Sequence, residues 1–297
     1  PEMSRGLGDV YKRQLEIFRN RGLWAVTNPG SNAKLASGIA PLEQMRALGI
    51  HMAIGTDGPS SNNALDFFRE MYLAAVLQKL RCGDAAALPA DDVLYMAISG
   101  GISGTCWSAE LMAEELRGEY PDRMIRVLNT CGASLGEGLV VLEAAKMLEK
   151  GCTADEIIRQ AEENCGRMRQ FFMVDDLKYL RRGGRISAAA QVAGSLLKIK
   201  PILQSDPEGH IIQHSKVRGQ LKAMETLAEL YKEYAVDGTR TVGIAHADCP
   251  DGALRLQAKL RDAGQTGEIL SVCYEPVTGG HVGPGTVALF FFGEVWR

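Results

Sequence analysis

The stretch DDVLYMAISGGISGT, residues 91–105, marks the point at which the pattern of the chain changes. Its apolar first half favours a buried strand, and its Gly/Ser-rich second half favours the tight connection of a βα unit. Upstream, the predicted order is helix, strand, loop, helix, strand, loop, helix. Downstream, strands and helices alternate regularly. The sequence therefore divides here into two parts that predict different structures.

The downstream part predicts an α/β fold with mixed sheets. MIRVLN (124–129) is a candidate strand, and EGLVVLEAAKMLEKG (137–151) is a candidate helix that ends at its glycine. Thr153 and Glu156 have the spacing of a capping box for the next helix. Residues 200–216 predict a hairpin with a DPEG turn, and residues 219–234 and 252–263 predict helices. Three further strands are predicted at TVGIAHA, ILSVCY and TVALFFF.

The upstream part contains short βα-like units. Pro41 begins a short predicted helix that Gly49 ends, and HMAIG (51–55) reads as a buried strand. This strand leads into the loop TDGPSSNN, after which residues 63–80 predict a long helix. An Asp at the end of such a strand, here Asp57, occupies the position where parallel barrels carry catalytic groups.

Bulk composition narrows the class of protein. Of 297 residues, 46% are hydrophobic, which is ample for a buried core, and the formal net charge is −3. Without a basic face, no nucleic-acid partner is expected, and the longest apolar runs, such as VALFFF (287–292), are too short for membrane insertion. The seven cysteines are scattered without CxxC spacing, which predicts reduced thiols and a cytoplasmic location.

The opening residues 1–14, PEMSRGLGDVYKRQ, closely resemble a translated sequencing-adapter scar. We exclude this lead-in from fold reasoning. The alternative is a genuine, flexible amphipathic segment.

Residues 15–92 resemble the amidohydrolase family, specifically the methylthioadenosine and S-adenosylhomocysteine deaminases. The resemblance is carried by three stretches: NPGSNAKLASGIAP (28–41), GTDGPSSNN (55–63) and FFREMYLAAVLQK (67–79). It implies part of a (β/α)₈ barrel, with Asp57 as a metal ligand that handles the proton of the attacking water. It also implies that Ser61 lines the substrate pocket.

The metal site implied by this resemblance is incomplete. A catalytic zinc or iron needs about three protein ligands, and the family takes the others from an HxH pair and two later histidines. The segment contains only His51, roughly 20 Å from Asp57 along an extended strand, and Thr27 replaces the family's usual His. We therefore expect a vestigial loop carboxylate at Asp57, a vestigial pocket at Ser61 and a partial barrel with an open edge.

Residues 93–297 resemble the DegV family of fatty-acid-binding proteins. Four stretches carry the resemblance in order: ISGGISGT (98–105), FFMVDDLKYLRRGGRIS (171–187), LLKIKPIL with KVRG (196–203, 216–219) and VTGGHVGPGTVAL (277–289). The resemblance implies a two-layer or three-layer α/β carrier. It also implies a bound long-chain fatty acid, no cofactor, no catalysis, and presentation of the carboxylate to an ATP-dependent fatty-acid kinase.

The same resemblance assigns candidate site residues. Ser103 would bind the carboxylate, with His281 beside it and Arg185 on the surface that meets the kinase; Gly104, Thr105 and Gly280 complete the candidate ligand-binding set. Physically, a buried anion needs donors, and the glycines of SGGISGT would free backbone N–H groups for it. The alternatives are an ordinary βα connection at 99–105 and a solvated arginine face at Arg181, Arg182 and Arg185.

Two departures from the DegV pattern affect the expected site. Gly100 stands where a second Ser is common, and the family's first strands, with a DS-type turn and a carboxylate-binding Thr, are not found upstream. DDVLYMA satisfies the patterns of both families. We therefore hypothesise a chimeric reading frame with its junction between residues 88 and 98. For the function, the alternatives to a fatty-acid carrier are a metal-dependent deaminase and a non-functional hybrid.

Overall fold

The computed structural model describes residues 13–23, 25–50, 52–55, 67–85, 87, 92–186 and 199–295. The chain forms two compact units, Pro1–Asp91 and Asp92–Arg297. The division between them falls inside the stretch 91–105, where the sequence pattern changes.

The first unit is a βα fragment. Its two strands pair in parallel, with Ala25 opposite Met52, and residues 13–20 are helical. The strands are β1 (Ala25–Thr27) and β2 (Met52–Ile54), and the helices are α1 (Pro29–Lys34), α2 (Leu42–Ala47) and α3 (Phe67–Cys82). The described residues form no closed barrel.

Buried polar side chains of α3 hold the loops of the first unit. The Glu70 carboxylate accepts a 2.6 Å hydrogen bond from the Gly30 N–H. The Gln78 amide accepts from the Leu42 N–H at 3.1 Å and donates to the Ala40 carbonyl at 2.7 Å. Both side chains are almost completely buried, so these bonds satisfy backbone groups at the helix starts that would otherwise lack partners.

The second unit contains two sheets. Strands β3 and β4 form a parallel pair, and a separate six-stranded sheet has the order β7-β6-β5-β10-β8-β9. The strands are β3 (Asp92–Ala97), β4 (Met124–Asn129), β5 (Met168–Met173), β6 (Ile199–Ser205), β7 (Ile211–Arg218), β8 (Val242–His246), β9 (Ile269–Cys273) and β10 (Val287–Phe292). The helices are α4 (Thr105–Glu119), α5 (Leu135–Glu149), α6 (Ala154–Arg167), α7 (Lys178–Arg182), α8 (Gln220–Tyr234), α9 (Pro250–Asp262) and α10 (Pro276–Val282).

Strand β10 is the centre of the core. Its odd-numbered side chains join a cluster with α8 and α9, and its even-numbered side chains join a second cluster with α5 and α6. All six of its residues are buried. A strand covered on both faces reads as a continuous apolar run, which explains the sequence VALFFF and gives the unit three layers, helices on both sides of the sheet.

The hairpin and the capping box are confirmed. Strands β6 and β7 pair antiparallel around the DPEG turn, where Gly209 has φ +83°. At the start of α6, the Thr153 hydroxyl accepts from the Glu156 N–H, and the Glu156 carboxylate accepts from the Thr153 N–H at 2.8 Å. These hydrogen bonds also lower the pKa of Glu156.

The segment around VTGGH forms the short helix α10. The Glu275 carboxylate caps it by accepting from the Thr278 N–H at 2.8 Å, and Pro276 occupies the first helical turn. Because Pro is preorganised for that position, the helix begins despite its two glycines.

In the described part of the chain, no helix combines the length and the apolar character needed to cross a bilayer.

Candidate ligand-binding site

A cavity of about 230 Å³ lies within the second unit. It is bounded by the loops after β3 and β4, by β5, by the β6–β7 hairpin and by α7 and α10. Its apolar lining consists of Ile98, Ile102, Ala133, Phe172, Leu180, Ile211, Val277, Val282 and Phe290, and its polar lining includes Ser99, Ser103, Cys131, Ser134, Gln170, Arg185, Ser205, Tyr274, Thr278 and His281. Small-molecule sites typically measure roughly 300–1,000 Å³, so this cavity suits a slender ligand.

Ser103 lines the cavity from the loop between β3 and α4. Its hydroxyl is 2.8 Å from the Thr105 hydroxyl and accepts from the Thr105 N–H at 3.3 Å. Gly104 precedes the first turn of α4. Gly104 and Thr105 are exposed and do not line the cavity, so of this predicted trio only Ser103 borders the cavity.

The backbone donors predicted in SGGISGT are largely used within the protein. The Gly100 N–H donates to Asn129 Oδ1 at 3.1 Å, and the Gly101 N–H donates to Ser99 Oγ at 3.1 Å. The N–H groups of Ile102 and Ser103 both bond the Ser99 carbonyl. The expectation that the glycines free these amides for a ligand is therefore wrong for residues 100–103.

Gly101 has a packing role instead. A Cβ at this position would lie 2.7 Å from the carbonyl carbon of Gly209 and from the His210 nitrogen. Only glycine lets the loop lie this close to the β6–β7 turn. The buried Ser99 hydroxyl fixes the same approach by donating to the Gly209 carbonyl at 2.9 Å.

The side chains of His281 and Arg185 both lie against Gly183. His281, on α10, and Arg185, just after α7, are both half-buried and both line the cavity. The Arg185 guanidinium donates to the Gly183 carbonyl, and a Cβ on Gly183 would collide with Nδ1 of His281. Gly280 is exposed and does not line the cavity.

The sequence reading did not identify the loop after β4. Cys131 and Ser134, in this loop, line the cavity and have positive φ values of 49° and 53°. Few non-glycine residues adopt this conformation, and those that do are often found at functional sites. A signal was available: β3 and β4 are parallel neighbours, and ligands bind beyond the carboxyl ends of such strands.

Burial shifts several pKa values near the cavity. Desolvation raises the pKa of the Cys131 thiol and of the Tyr274 hydroxyl, both of which therefore stay protonated at neutral pH. Burial also raises the pKa of Glu137, in the first turn of α5, to about 7. The cavity wall around Cys131 and Tyr274 is thus uncharged.

Metal-binding candidates are few in the described residues. Asp206, Glu208 and His210 have ligand atoms within 4.8 Å of one another. They belong to the hairpin turn, where Asp206 accepts from the His210 N–H at 2.8 Å and contacts its ring nitrogen at 3.2 Å. Asp57, Ser61 and His51 lie outside the described residues. Thr27, which replaces the expected His, is buried at the end of β1.

Fold and cavity together define an α/β protein with a small, mostly apolar cavity in its second unit. The family model described as "Uncharacterised protein, DegV family COG1307" matches residues 83–294, and the chain belongs to the DegV family. A second family model, "Amidohydrolase family", matches residues 11–101. The two matches overlap over residues 83–101, which contain most of the stretch 91–105.

Three known proteins illustrate the relationship. A DegV domain-containing protein of Clostridium perfringens is 40% identical over 203 residues, which cover 68% of this chain and 70% of the relative. The crystal structure of a fatty acid binding DegV family protein from Streptococcus agalactiae is 30% identical, with a TM-score of 0.62 and 74% of each chain covered. The Fatty Acid Kinase (Fak) B3 protein of Streptococcus pneumoniae, loaded with linoleic acid, shares the fold at 17% identity, with a TM-score of 0.63 and coverage of 78% and 85%.

Proposed function

We propose that residues 92–297 bind a long-chain fatty acid, with the hydrocarbon tail in the 230 Å³ cavity. The observation that carries the proposal is the composition of the cavity wall, which is mostly apolar and has Ser103, Arg185 and His281 on its lining. The DegV relatives described as fatty-acid binding support the same ligand class.

The carboxylate is proposed to bind at Ser103, with the imidazole of His281 beside it. Within the described residues, no hydrogen-bond partner is found for this imidazole, so it is available to a ligand. Arg185 uses one of its donors on Gly183, and a guanidinium has five. Charge-assisted hydrogen bonds offset the cost of removing an anion from water. Gly104, Thr105 and Gly280 would form the exposed rim beside these groups.

We propose further that the protein is a carrier and that it presents the carboxylate to an ATP-dependent fatty-acid kinase. Arg185 is the proposed kinase-contacting residue, because it lines the cavity that holds the proposed head-group position and is still partly exposed. All seven cysteines are free thiols, which supports the cytoplasm as the place of action. No cofactor is required for this role.

A deaminase function is not proposed for the first unit. The amidohydrolase match reaches only residues 11–101, whereas the DegV match spans 83–294.

Native mass spectrometry of the full chain tests the binding proposal. The expected result is one fatty acid per protein, released on denaturation and replaceable by added palmitate. Removal of the lipid followed by titration with cis-parinaric acid, a fluorescent fatty acid, gives the affinity. A delipidated, folded chain that takes up neither palmitate nor cis-parinaric acid would refute the proposal. Ammonia release from methylthioadenosine by the metal-loaded chain would support the deaminase instead.

A further inference from the structure

We propose that Gln170 is a positioning residue that closes the inner wall of the cavity to polar ligand groups and thereby fixes the direction in which the fatty acid binds. This inference rests on the proposed function. Gln170 is a polar residue with 6% exposure in the central strand β5, and it shares a face of that strand with the apolar Met168 and Phe172. A buried amide at such a position is costly unless it is fully hydrogen-bonded.

Both N–H donors of the Gln170 amide are used by the protein. Its Nε2 donates to the Cys131 carbonyl at 2.8 Å and to the Ser205 hydroxyl at 3.1 Å. Its Oε1 accepts from the Ala133 N–H at 2.9 Å. Since an amide nitrogen has two hydrogens, Gln170 has no donor left for a ligand.

These bonds hold the loop after β4 in its unusual conformation. Cys131 and Ser134 have positive φ values, and the Gln170 amide spans the segment by binding a carbonyl at 131 and an N–H at 133. A backbone in this region persists only where its surroundings fix it. Gly136 leaves the space that the amide occupies, because a Cβ there would collide with Gln170 Oε1.

The hydrogen-bonding groups on the cavity wall are therefore not equally available to a ligand. Gln170 is paired with Phe290 in the sheet register, and both line the cavity. Near Gln170, the polar groups at Cys131, Ala133 and Ser205 are already bonded to its amide. The proposed head-group residues Ser103, His281 and Arg185 also line the cavity and are not bonded to Gln170. The carboxylate therefore binds at those residues, and the tail is directed toward the wall formed by Gln170 and Phe290.

The test compares Gln170→Leu with Gln265→Leu in the full chain. Gln265 is a matched control: it is 1% exposed, accepts from the Tyr231 hydroxyl at 2.6 Å and donates to the Arg240 carbonyl at 2.8 Å, and it does not line the cavity. Both changes leave buried hydrogen-bonding groups unpaired and lower stability. Only Gln170→Leu exposes the Ala133 N–H, the Cys131 carbonyl and the Ser205 hydroxyl to a ligand.

The readout is selectivity, which a loss of stability alone does not change. Bound cis-parinaric acid is displaced with palmitate and, separately, with hexadecanol. The ratio of the affinity for palmitate to the affinity for hexadecanol should fall about tenfold in Gln170→Leu. A tenfold change corresponds to the free energy of about one buried hydrogen bond. It should remain at the wild-type value in Gln265→Leu.

A second pair of variants covers the case in which Gln170→Leu does not fold. Gln170→Glu keeps the volume and the acceptor for Ala133, but it places an oxygen against the Cys131 carbonyl; Gln265→Glu is its control. The same loss of selectivity is expected in Gln170→Glu alone. Wild-type selectivity in folded Gln170 variants would overturn this inference and leave the proposed function intact. A wild-type chain that does not bind cis-parinaric acid would overturn both.

Discussion

Gly183 is the residue on which two proposed ligand-binding side chains depend. Its φ of −71° is ordinary for any amino acid, so its importance is not conformational. Its missing Cβ leaves room for His281 Nδ1, and its carbonyl accepts from Arg185. The positions of the His281 and Arg185 side chains therefore depend on the absence of a side chain at Gly183.

Gly183→Ala is expected to weaken fatty-acid binding while the protein stays folded. The new methyl group takes the space of the imidazole, and loss of a charge-assisted bond corresponds to about a tenfold increase in Kd for cis-parinaric acid. The matched control is Gly118→Ala, at an exposed helical position where a Cβ has no atom within 4 Å. It should bind like wild type and unfold at slightly higher urea. Equal affinities in the two variants would contradict the placement of His281.

Glu137 gives the protein a pH dependence of stability. Burial raises its pKa in the folded state to about 7, from 4.5, so the folded protein binds a proton more tightly than the unfolded chain. The contribution of this group is therefore most favourable below pH 4.5 and is lost as the pH rises through 7.

Glu137→Gln removes this dependence. We expect the variant to exceed wild type in free energy of unfolding by about 2–3 kcal/mol at pH 8, and by much less at pH 5. Urea unfolding at the two pH values, followed by circular dichroism, measures the difference. A difference that grows toward low pH would show that the carboxylate is stabilised in the fold rather than desolvated.

At the scale of elements, helix α6 begins at a capping box formed by Thr153 and Glu156. Thr153→Ala removes the acceptor for the Glu156 N–H and should lower the free energy of unfolding by roughly 0.5–2 kcal/mol. Glu156→Gln should cost less, because Gln also accepts from the Thr153 N–H. Urea unfolding of both variants checks the order, and a larger loss for Glu156→Gln would contradict it.

The elements that the sequence predicts best are those determined by neighbouring residues. The apolar run VALFFF predicts a buried strand, and all six of its residues are buried in β10. Thr153 and Glu156 predict a helix start, because the capping hydrogen bonds join residues only three apart. Predicted helix ends differ by a few residues from those observed. For α10, the cap at Glu275 outweighs the low helix propensity of its glycines.

The candidate site was only partly accessible to sequence reasoning. Ser103, Arg185 and His281 were selected by family resemblance, and all three line one cavity; their roles stay predictions. Gln170 was not selected, because its partners Cys131 and Ala133 lie 39 and 37 residues away in the chain. Periodicity records which residues are buried, but it does not record which distant backbone groups a buried amide will bind.

At the scale of the whole molecule, the two family matches overlap at residues 83–101. The hypothesis of a chimeric reading frame predicts that amplification across residues 88–98 from source DNA gives no product, whereas amplification within either part succeeds. Primers placed wholly inside residues 100–290 serve as the positive control. A clean product across the junction would contradict the hypothesis and establish a natural fusion.

The position of β10 determines the order in which the DegV sheet can be assembled. This strand is the last of the six in the sequence, yet it pairs with both β5 and β8 at the middle of the sheet. While the chain emerges from the ribosome, the β5–β6–β7 and β8–β9 parts therefore have no strand to join them. Each nascent part exposes an edge that can pair with another chain. Both edges are therefore covered only when β10 is added between them.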